Sequence, residues 1–128
     1  MTEQPFITTF TFKDQAPKEG RNLKSVKVGE VYISRAELEP YAIIGNAYFH
    51  STNIMMFVEK GKVQAKYKSI DGQKEQEQTI DPGSVVVHIP EKVAFALKNM
   101  DDTKTVVVMF SDKPIQSSDD EHEYILYT

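Results

Sequence analysis

The feature that most constrains the fold is an alternation of apolar and polar residues with a period of two. In Val63–Ser69 the odd positions are Val, Ala, Tyr and Ser, while the even positions are Gln, Lys and Lys. Because successive side chains of a strand point to opposite faces, this pattern predicts a half-buried strand with a lysine-bearing outer face. Asp71-Gly72 follows at once and is a strong hairpin signal. The chain is therefore predicted to form sheets.

The same pattern divides the rest of the chain into strands. Phe6–Phe12 carries aromatic residues on one side and is predicted to be a first strand. In Ser25–Ser34 the apolar positions change parity at Gly29, which predicts a β-bulge there. Arg35–Pro40 is predicted to be a connector with one helical turn. About nine or ten short strands and no convincing helix result, so we expect an all-β antiparallel barrel or jelly roll.

Composition narrows the class of protein. The chain has 128 residues, a formal net charge of −4 and no cysteine. We expect one domain over 1–128, with a strand and loop over 1–24 and a solvated acidic tail over 112–128. The charge balance predicts no nucleic-acid partner, and no apolar run approaches the roughly 20 residues needed to span a membrane. Since the first residues do not resemble a signal peptide, we expect a cytoplasmic protein.

One stretch resembles a known family. Gly45–Asn99 resembles the cupin superfamily, whose first motif is His-x-His, four residues, Glu, six residues and Gly. When the motif is anchored on Gly61, Ile54 falls at the glutamate position. Ala47 and Phe49 then fall at the two histidine positions. The spacing fits without a gap, and the resemblance implies an antiparallel double-stranded β-helix, which is a jelly-roll barrel.

The second cupin motif is also present in spacing. It reads Pro-x-Gly-x-x-His, three residues and Asn, and it falls on Pro90, Lys92, Phe95 and Asn99. In metal-binding members of the family, imidazole and carboxylate groups at the two motifs hold a metal inside the barrel. The four corresponding side chains here have no lone pair to donate. We therefore predict no metal and no cofactor in this barrel.

The resemblance also predicts what faces the interior. The residues predicted to point inward and to line an apolar pocket are Ala47, Phe49, Ile54, Met56 and Phe95. His88 is the candidate general acid or base, because neutral histidine titrates near pH 7; the alternative is an exposed or backbone-bonded strand histidine. Tyr67 shares parity with the inward residues and is a candidate for orienting a ligand or donating a proton. The alternative is a core residue with its hydroxyl at the rim.

Two functions are compatible with these residues. The first is a metal-free cupin-like protein that binds a small molecule, with a resemblance to cupins of carbohydrate and sugar-nucleotide metabolism such as dTDP-sugar epimerases and ketoisomerases. The catalytic histidine pair of those enzymes falls on Ala47 and Phe49, which argues against the same reaction. The second is a non-catalytic structural or sensor domain with a filled apolar barrel. A homodimer is expected in both, with Phe6–Phe12 or Tyr124–Tyr127 as an exchanged strand, and enzymatic activity is left open.

Overall fold

The computed structural model describes residues 6–16, 18–115 and 120–128, and these residues form strands without a helix. None of them belongs to a helix that is long and apolar enough to cross a membrane. The strands are β1 (Lys13–Asp14), β2 (Arg21–Val28), β3 (Val31–Leu38), β4 (Ile43–Phe49), β5 (Ile54–Lys60), β6 (Val63–Ser69), β7 (Glu75–Ile80), β8 (Val87–Ile89), β9 (Val93–Asn99), β10 (Thr105–Ser111) and β11 (Glu121–Glu123).

The strands build two antiparallel sheets that face each other. One sheet has the order β1-β2-β3-β10-β5-β8 and the other has the order β11-β4-β9-β6-β7. From β4 onward the chain passes repeatedly from one sheet to the other, so most neighbours in a sheet are distant in sequence. This is the predicted all-β jelly roll, and the fold prediction is confirmed.

The core lies between the two inner faces. Its apolar side chains come from both sheets, and β10 is buried from Thr105 to Met109. Gly61 has a positive φ of 85° and makes the predicted turn between β5 and β6. A Cβ at this position would collide with the hydroxyl of Thr105, so the turn requires glycine for space as well as for backbone conformation.

Two local predictions in the first half of the chain are wrong. Gly29 does not make a bulge, because Gly29 and Glu30 form the turn of a hairpin in which Val28 pairs with Val31. The apolar positions change parity because the chain reverses its direction at this turn, between β2 and β3. The residues 35–38 do not form a helical turn either. They end β3, where Ala36 and Leu38 are fully buried against the core at a spacing of two.

The two chain ends also differ from the prediction. Residues 1–5 lie outside the described residues, and 6–12 do not form a strand; Phe6, Phe10 and Phe12 are exposed. The first strand is Lys13–Asp14, which pairs with β2. Residues 116–119 of the predicted acidic tail lie outside the described residues. From Asp120 onward the interpretation as a solvated tail is wrong, because Asp120 is buried and β11 pairs with β4.

Candidate functional site

A cavity of about 150 Å³ opens between the inner faces of the two sheets, beside β2 and β4. Nine of the thirteen described residues that line it are apolar: Leu23, Ile43, Ile44, Gly45, Phe49, Ile54, Phe95, Met109 and Ile115. Its charged wall residues are Lys18, Glu19, Arg21 and Glu121. The site therefore combines an apolar interior with a charged rim.

The innermost part of this wall is made by the residues that replace the metal ligands of the cupin motifs. Phe49, Ile54 and Phe95 are all buried, and the rings of Phe49 and Phe95 stack with centroids 6.2 Å apart. Ala47 and Met56 are buried too, but they belong to the packed core and do not line the cavity. Methyl, phenyl and branched alkyl groups have no lone pair, so these positions do not fit a metal ion.

A backbone irregularity shapes the cavity wall beside Phe95. Gly45 has a φ of 90°, and a Cβ there would lie 2.6 Å from the carbonyl oxygen of Phe95. The pairing of β4 with β9 shifts register between Gly45 and Ala47, which leaves Asn46 as the extra residue of a bulge. Bulges bend a strand and redirect its side chains. Because the bulge adds one residue to β4, the side chains of Ala47 and Phe49, which follow Gly45, lie on the inner face.

The extra residue of the bulge holds the C-terminal segment. The side-chain oxygen of Asn46 accepts hydrogen bonds from the backbone N–H groups of Leu126 (2.8 Å) and Tyr127 (3.0 Å). Its amide nitrogen donates to the carbonyl of Tyr127 at 3.0 Å, and its backbone carbonyl accepts from the N–H of Tyr124 at 2.7 Å. Asn46 therefore binds the C-terminal segment, which is about 80 residues away in the sequence. The alternation of apolar and polar residues gave no indication of this role.

A second set of bonds fixes the start of the same segment. The carboxylate of Asp120 accepts from the N–H and hydroxyl of Ser51 and from the hydroxyl of Thr52, at 2.5–3.2 Å. Lys113 donates to the Ser51 hydroxyl at 2.6 Å. Burial favours the neutral acid, but the hydrogen bonds and the charge of Lys113 outweigh it, so the pKa of Asp120 lies below its usual value. We call these bonds of Ser51, Thr52, Lys113 and Asp120 the carboxylate latch.

The carboxylate latch lies directly before β11 and positions a charged residue of that strand, Glu121, at the cavity rim. Glu121 pairs with Phe49 of β4, so both side chains lie on the inner side of their sheet. Arg21 begins β2 in the opposite sheet and is half-buried. One of its Nη atoms donates to the carbonyl of Ala16 at 3.2 Å. Burial lowers the pKa of Arg21, and the negative charge of Glu121 acts in the opposite direction.

The two predicted acid–base residues do not line this cavity. His88 pairs with Met55 of β5, and both side chains are exposed on the outer face, where His88 Nε2 lies 3.2 Å from Asn53 Oδ1. Tyr67 is half-buried against the core and donates to Gln78 Oε1 at 2.8 Å. Burial raises the pKa of the Tyr67 hydroxyl far above its usual value, so it is a poor proton donor near neutral pH. Their catalytic roles remain predictions.

Metal-ligating side chains are dispersed across the part of the chain that the structure describes. No group of three or more His, Asp or Glu residues there comes close enough together to hold a metal ion. His50 and His122 are exposed, and the ring of His122 stacks on Tyr48 at 5.0 Å. A larger groove of about 550 Å³ lies between the N-terminal residues 9–15 and the edge of β2 and β3, but it is open and separate from the motif positions.

Comparison with known proteins identifies the architecture. No family model matches the sequence, and no curated protein matches it. The solved structures of similar fold include the capsular polysaccharide assembling protein CapF from Staphylococcus aureus, at a TM-score of 0.78 and 18% identity over 94% of this chain. Another CapF structure, with the inhibitor 3-isopropenyl-tropolone, matches at the same values. The chain spans only 36% of the CapF chain in both comparisons.

Other proteins of known structure share the barrel. The cupin domain of Drosophila melanogaster CENP-C matches at a TM-score of 0.65 and 13% identity, over 80% of this chain and 70% of that one. An oxalate oxidase matches at 0.66 and 17% identity, over 77% of this chain and 53% of that one. Together with the two-sheet topology, these likenesses show that the chain has the cupin fold. The resemblance read from the two motifs is confirmed at the level of fold.

Proposed function

We propose that this protein binds a small organic molecule in the barrel cavity without the help of a metal ion. The observation that carries the proposal is the cavity itself, because it opens where cupin metal ligands would stand and its wall there is made by Phe49, Ile54 and Phe95. Apolar walls favour a ligand with an apolar body. The likeness in fold to CapF, whose structure with an inhibitor is known, supports a small-molecule ligand here.

The volume limits the size of what enters. A cavity of about 150 Å³ suits a single aromatic ring or a branched alkyl group, whereas sites for drug-sized ligands span roughly 300–1,000 Å³. A whole nucleotide sugar does not fit inside. The likeness to CapF supports a link to carbohydrate metabolism, but sugar hydroxyls buried against Phe49 and Phe95 would lose their hydrogen bonds to water. We therefore favour an apolar ligand body over a sugar ring.

Binding of single-ring probes tests the proposal. Toluene and phenylacetate, added to the full chain, are expected to raise its melting temperature by several degrees, since a ligand at 100 times its dissociation constant stabilises by about 2.7 kcal/mol. Ile44→Phe fills the cavity from its wall and should abolish the shift. Met55→Phe, on the outer face, is the matched control and should leave the shift unchanged. Absence of any probe binding at saturating concentration would refute the proposal.

The proposal that no metal ion takes part is tested by a separate measurement. Elemental analysis of the purified protein is expected to find no stoichiometric transition metal, and added Zn²⁺ should not change the melting temperature. Since His50 and His122 are exposed and can bind metal adventitiously, the double variant His50→Ala, His122→Ala is the control. Stoichiometric metal that persists in this variant would contradict the proposal.

A second candidate is a non-catalytic dimeric structural or sensor module. The observations that favour it are a barrel interior that is mostly packed and three exposed phenylalanines, Phe6, Phe10 and Phe12, near the edge strand β1. Exposed aromatic residues beside an open sheet edge favour association of two copies. Light scattering of the full chain should then give twice the 14.6 kDa mass of one chain. A monomer that persists at millimolar concentration would exclude the dimer.

A further inference from the structure

A second binding surface lies outside the barrel cavity. The open groove of about 550 Å³ beside residues 9–15, which we call the N-terminal groove, is lined by β1, β2 and β3 and by Pro114 and Ile115. Ile115 is the single described residue that lines both the groove and the cavity. Small-molecule sites typically span roughly 300–1,000 Å³. The groove can therefore hold a ligand that is too large for the cavity.

The three strands place polar side chains on the side that faces this groove. Leu23 of β2 is buried on the inner side, so Ser25 and Lys27 of the same strand also lie on that side. Ser25 pairs with Lys13 of β1, and Lys27 pairs with Tyr32 of β3. Diagonal neighbours on one face of antiparallel strands are about 7–8 Å apart. Lys13 and Lys27 are such neighbours, so their two ammonium groups can reach one ligand.

The groove is positively charged, although the formal net charge of the chain is −4. Lys13 and Lys27 line it, and none of the described residues that line it is a carboxylate. Asp14, next to Lys13, pairs with Lys24 and lies on the opposite face. Among the described residues, ion pairs are made by other lysines, which are Lys66, Lys68 and Lys104. Two positive charges with no carboxylate in the described wall favour a ligand with two negative charges.

Neutral groups beside the lysines add further contacts. The Nζ of Lys27 lies 5.5 Å from the centroid of the Tyr32 ring, and this cation–π contact leaves N–H groups of the ammonium to donate to an anion. The hydroxyls of Ser25 and Ser34 are 2.8 Å apart. Because one hydroxyl donates to the other, the second hydrogen can be donated to a ligand oxygen. The other polar side chains of the wall are Thr9, Thr11, and Gln15.

We infer that the N-terminal groove binds a phosphate monoester whose organic part carries hydroxyl groups, as a sugar phosphate does. Such an ester carries a charge of about −1.5 to −2 at pH 7 and three strong acceptor oxygens, which match two lysines and a serine hydroxyl. The hydroxyl groups of the organic part bond to the threonine and glutamine side chains of the wall. This site is separate from the cavity of the proposed function, and no reaction is attached to it.

Probes that differ in charge test the inference on the full chain. Glucose, glucuronate and glucose 6-phosphate share one sugar ring and carry no charge, one negative charge and about two negative charges. We expect titration calorimetry to show glucose 6-phosphate binding at least about tenfold more tightly than glucose, since each exposed ion pair contributes about threefold. Glucuronate should lie between them, and inorganic phosphate should bind more weakly than the sugar phosphate. Equal or tighter binding of any of these three probes would overturn the inference.

Variants assign the binding to the groove lysines. Lys13→Gln and Lys27→Gln should each weaken the affinity for glucose 6-phosphate by about threefold, and the double variant should lower it to that of glucose. Both side chains are exposed, so the fold is expected to survive. Lys24→Gln, the matched control, removes the same charge from the opposite face of β2 and should change the affinity by less than about twofold. A double variant that retains the wild-type affinity would refute the assignment.

A cavity-filling variant separates this inference from the proposed function. Ile44 lines the cavity and not the groove, so Ile44→Phe should abolish toluene binding and leave glucose 6-phosphate binding unchanged. If toluene binds to the wild type and glucose 6-phosphate does not, only the groove site is wrong. If only glucose 6-phosphate binds, the proposed cavity function fails and the groove site stands. Loss of glucose 6-phosphate binding in folded Ile44→Phe would overturn the assignment to the groove.

Discussion

The polar network around Asn99 and the apolar cavity contrast in their chemistry. Asn99 is fully buried, and its amide donates to the carbonyls of Leu38, Glu39 and Thr103 at 2.8–3.1 Å. Its side-chain oxygen accepts from Asp101 N–H and the Thr105 hydroxyl. In the cavity, by contrast, the innermost wall is made of phenyl and alkyl groups that make no such bonds. A satisfied polar network fills one region, and an apolar wall with a charged rim leaves the other open.

The difference shows which motif positions carry structure and which carry chemistry. Asn99, which matches the last position of the second cupin motif, ties together three chain segments and has no solvent contact. Phe49, Ile54 and Phe95, which stand at ligand positions, form the surface that a guest molecule would touch. Structural positions are retained here while ligand positions have changed.

The largest effect is expected in the Asn99 network. Asn99→Ala leaves five bonding partners without their side-chain partner in a buried site, and we expect a loss of about 3–4 kcal/mol in the free energy of unfolding, measured by urea denaturation. Asn22→Ala, on the exposed side of β2, is the control and should change stability by about 0.5 kcal/mol or less. A loss below about 1 kcal/mol for Asn99→Ala would show that the network does not hold these chain segments together.

The next largest effect is expected at the β4 bulge beside the cavity. Gly45→Ala places a Cβ 2.6 Å from the Phe95 carbonyl oxygen at a φ of 90°, so we expect a loss of about 2–3 kcal/mol and weaker probe binding in the cavity. Gly29→Ala is the matched control, with a φ of 63° and no atom within 4 Å. It should cost only about 1 kcal/mol and leave binding unchanged. Equal losses in the two variants would contradict the role assigned to the close contact.

A smaller and pH-dependent effect is expected at the carboxylate latch. The folded-state pKa of Asp120 is lowered, so its contribution is fully present above the unfolded pKa of about 3.9 and is lost as pH falls through the lower folded value. Asp120→Asn should lose about 1–2 kcal/mol near pH 7 and much less in strong acid. Hydrogen exchange of the β11 amides measures this.

The control for the latch is Asp102→Asn, an exposed carboxylate in the turn between β9 and β10. It should not change exchange at β11 at any pH. If Asp120→Asn and the wild type show the same pH profile of exchange, the latch does not hold β11 through the charge of Asp120.

The smallest effect is expected outside the barrel. His88→Ala removes an exposed ring from the outer face of the sheet, so we expect a change of about 0.5 kcal/mol or less in stability and unchanged binding of single-ring probes. Calorimetric titration of the variant with toluene and phenylacetate checks this. Loss of probe binding in His88→Ala would instead indicate that His88 contributes to the binding site.

The fold was predictable because its signals are local. Alternation in Val63–Ser69, the glycine turns at Gly61 and Gly72, and the spacing from Ala47 to Gly61 each report on neighbours within a few residues. For the same reason, the sequence alone showed that apolar residues occupy the motif positions. The parity change at Gly29 was also a local signal, but it fits a bulge and a hairpin equally well. Only the pairing of β2 with β3 distinguishes the two.

The candidate site was only partly predictable. Three of the five predicted inward residues, Phe49, Ile54 and Phe95, line the cavity, yet both proposed acid–base residues lie elsewhere. Arg21 and Glu121 carried no motif. A charged residue at a strand end gives no indication of which other strand end it will meet, so the rim could not be assembled from periodicity.

The sequence by itself determined most of the central strands, the jelly-roll class and the absence of metal-ligating side chains from the motif positions, since these depend on residue chemistry and short-range spacing. The tertiary structure alone decided that Asn46 and Asp120 bind segments about 70–80 residues away. By docking β11 beside β4, those bonds place Glu121 on the cavity rim with Arg21. The physical reason is that the residue type fixes which hydrogen bonds and ion pairs a side chain can form. Which partner it bonds depends on the distant strands that pack beside it.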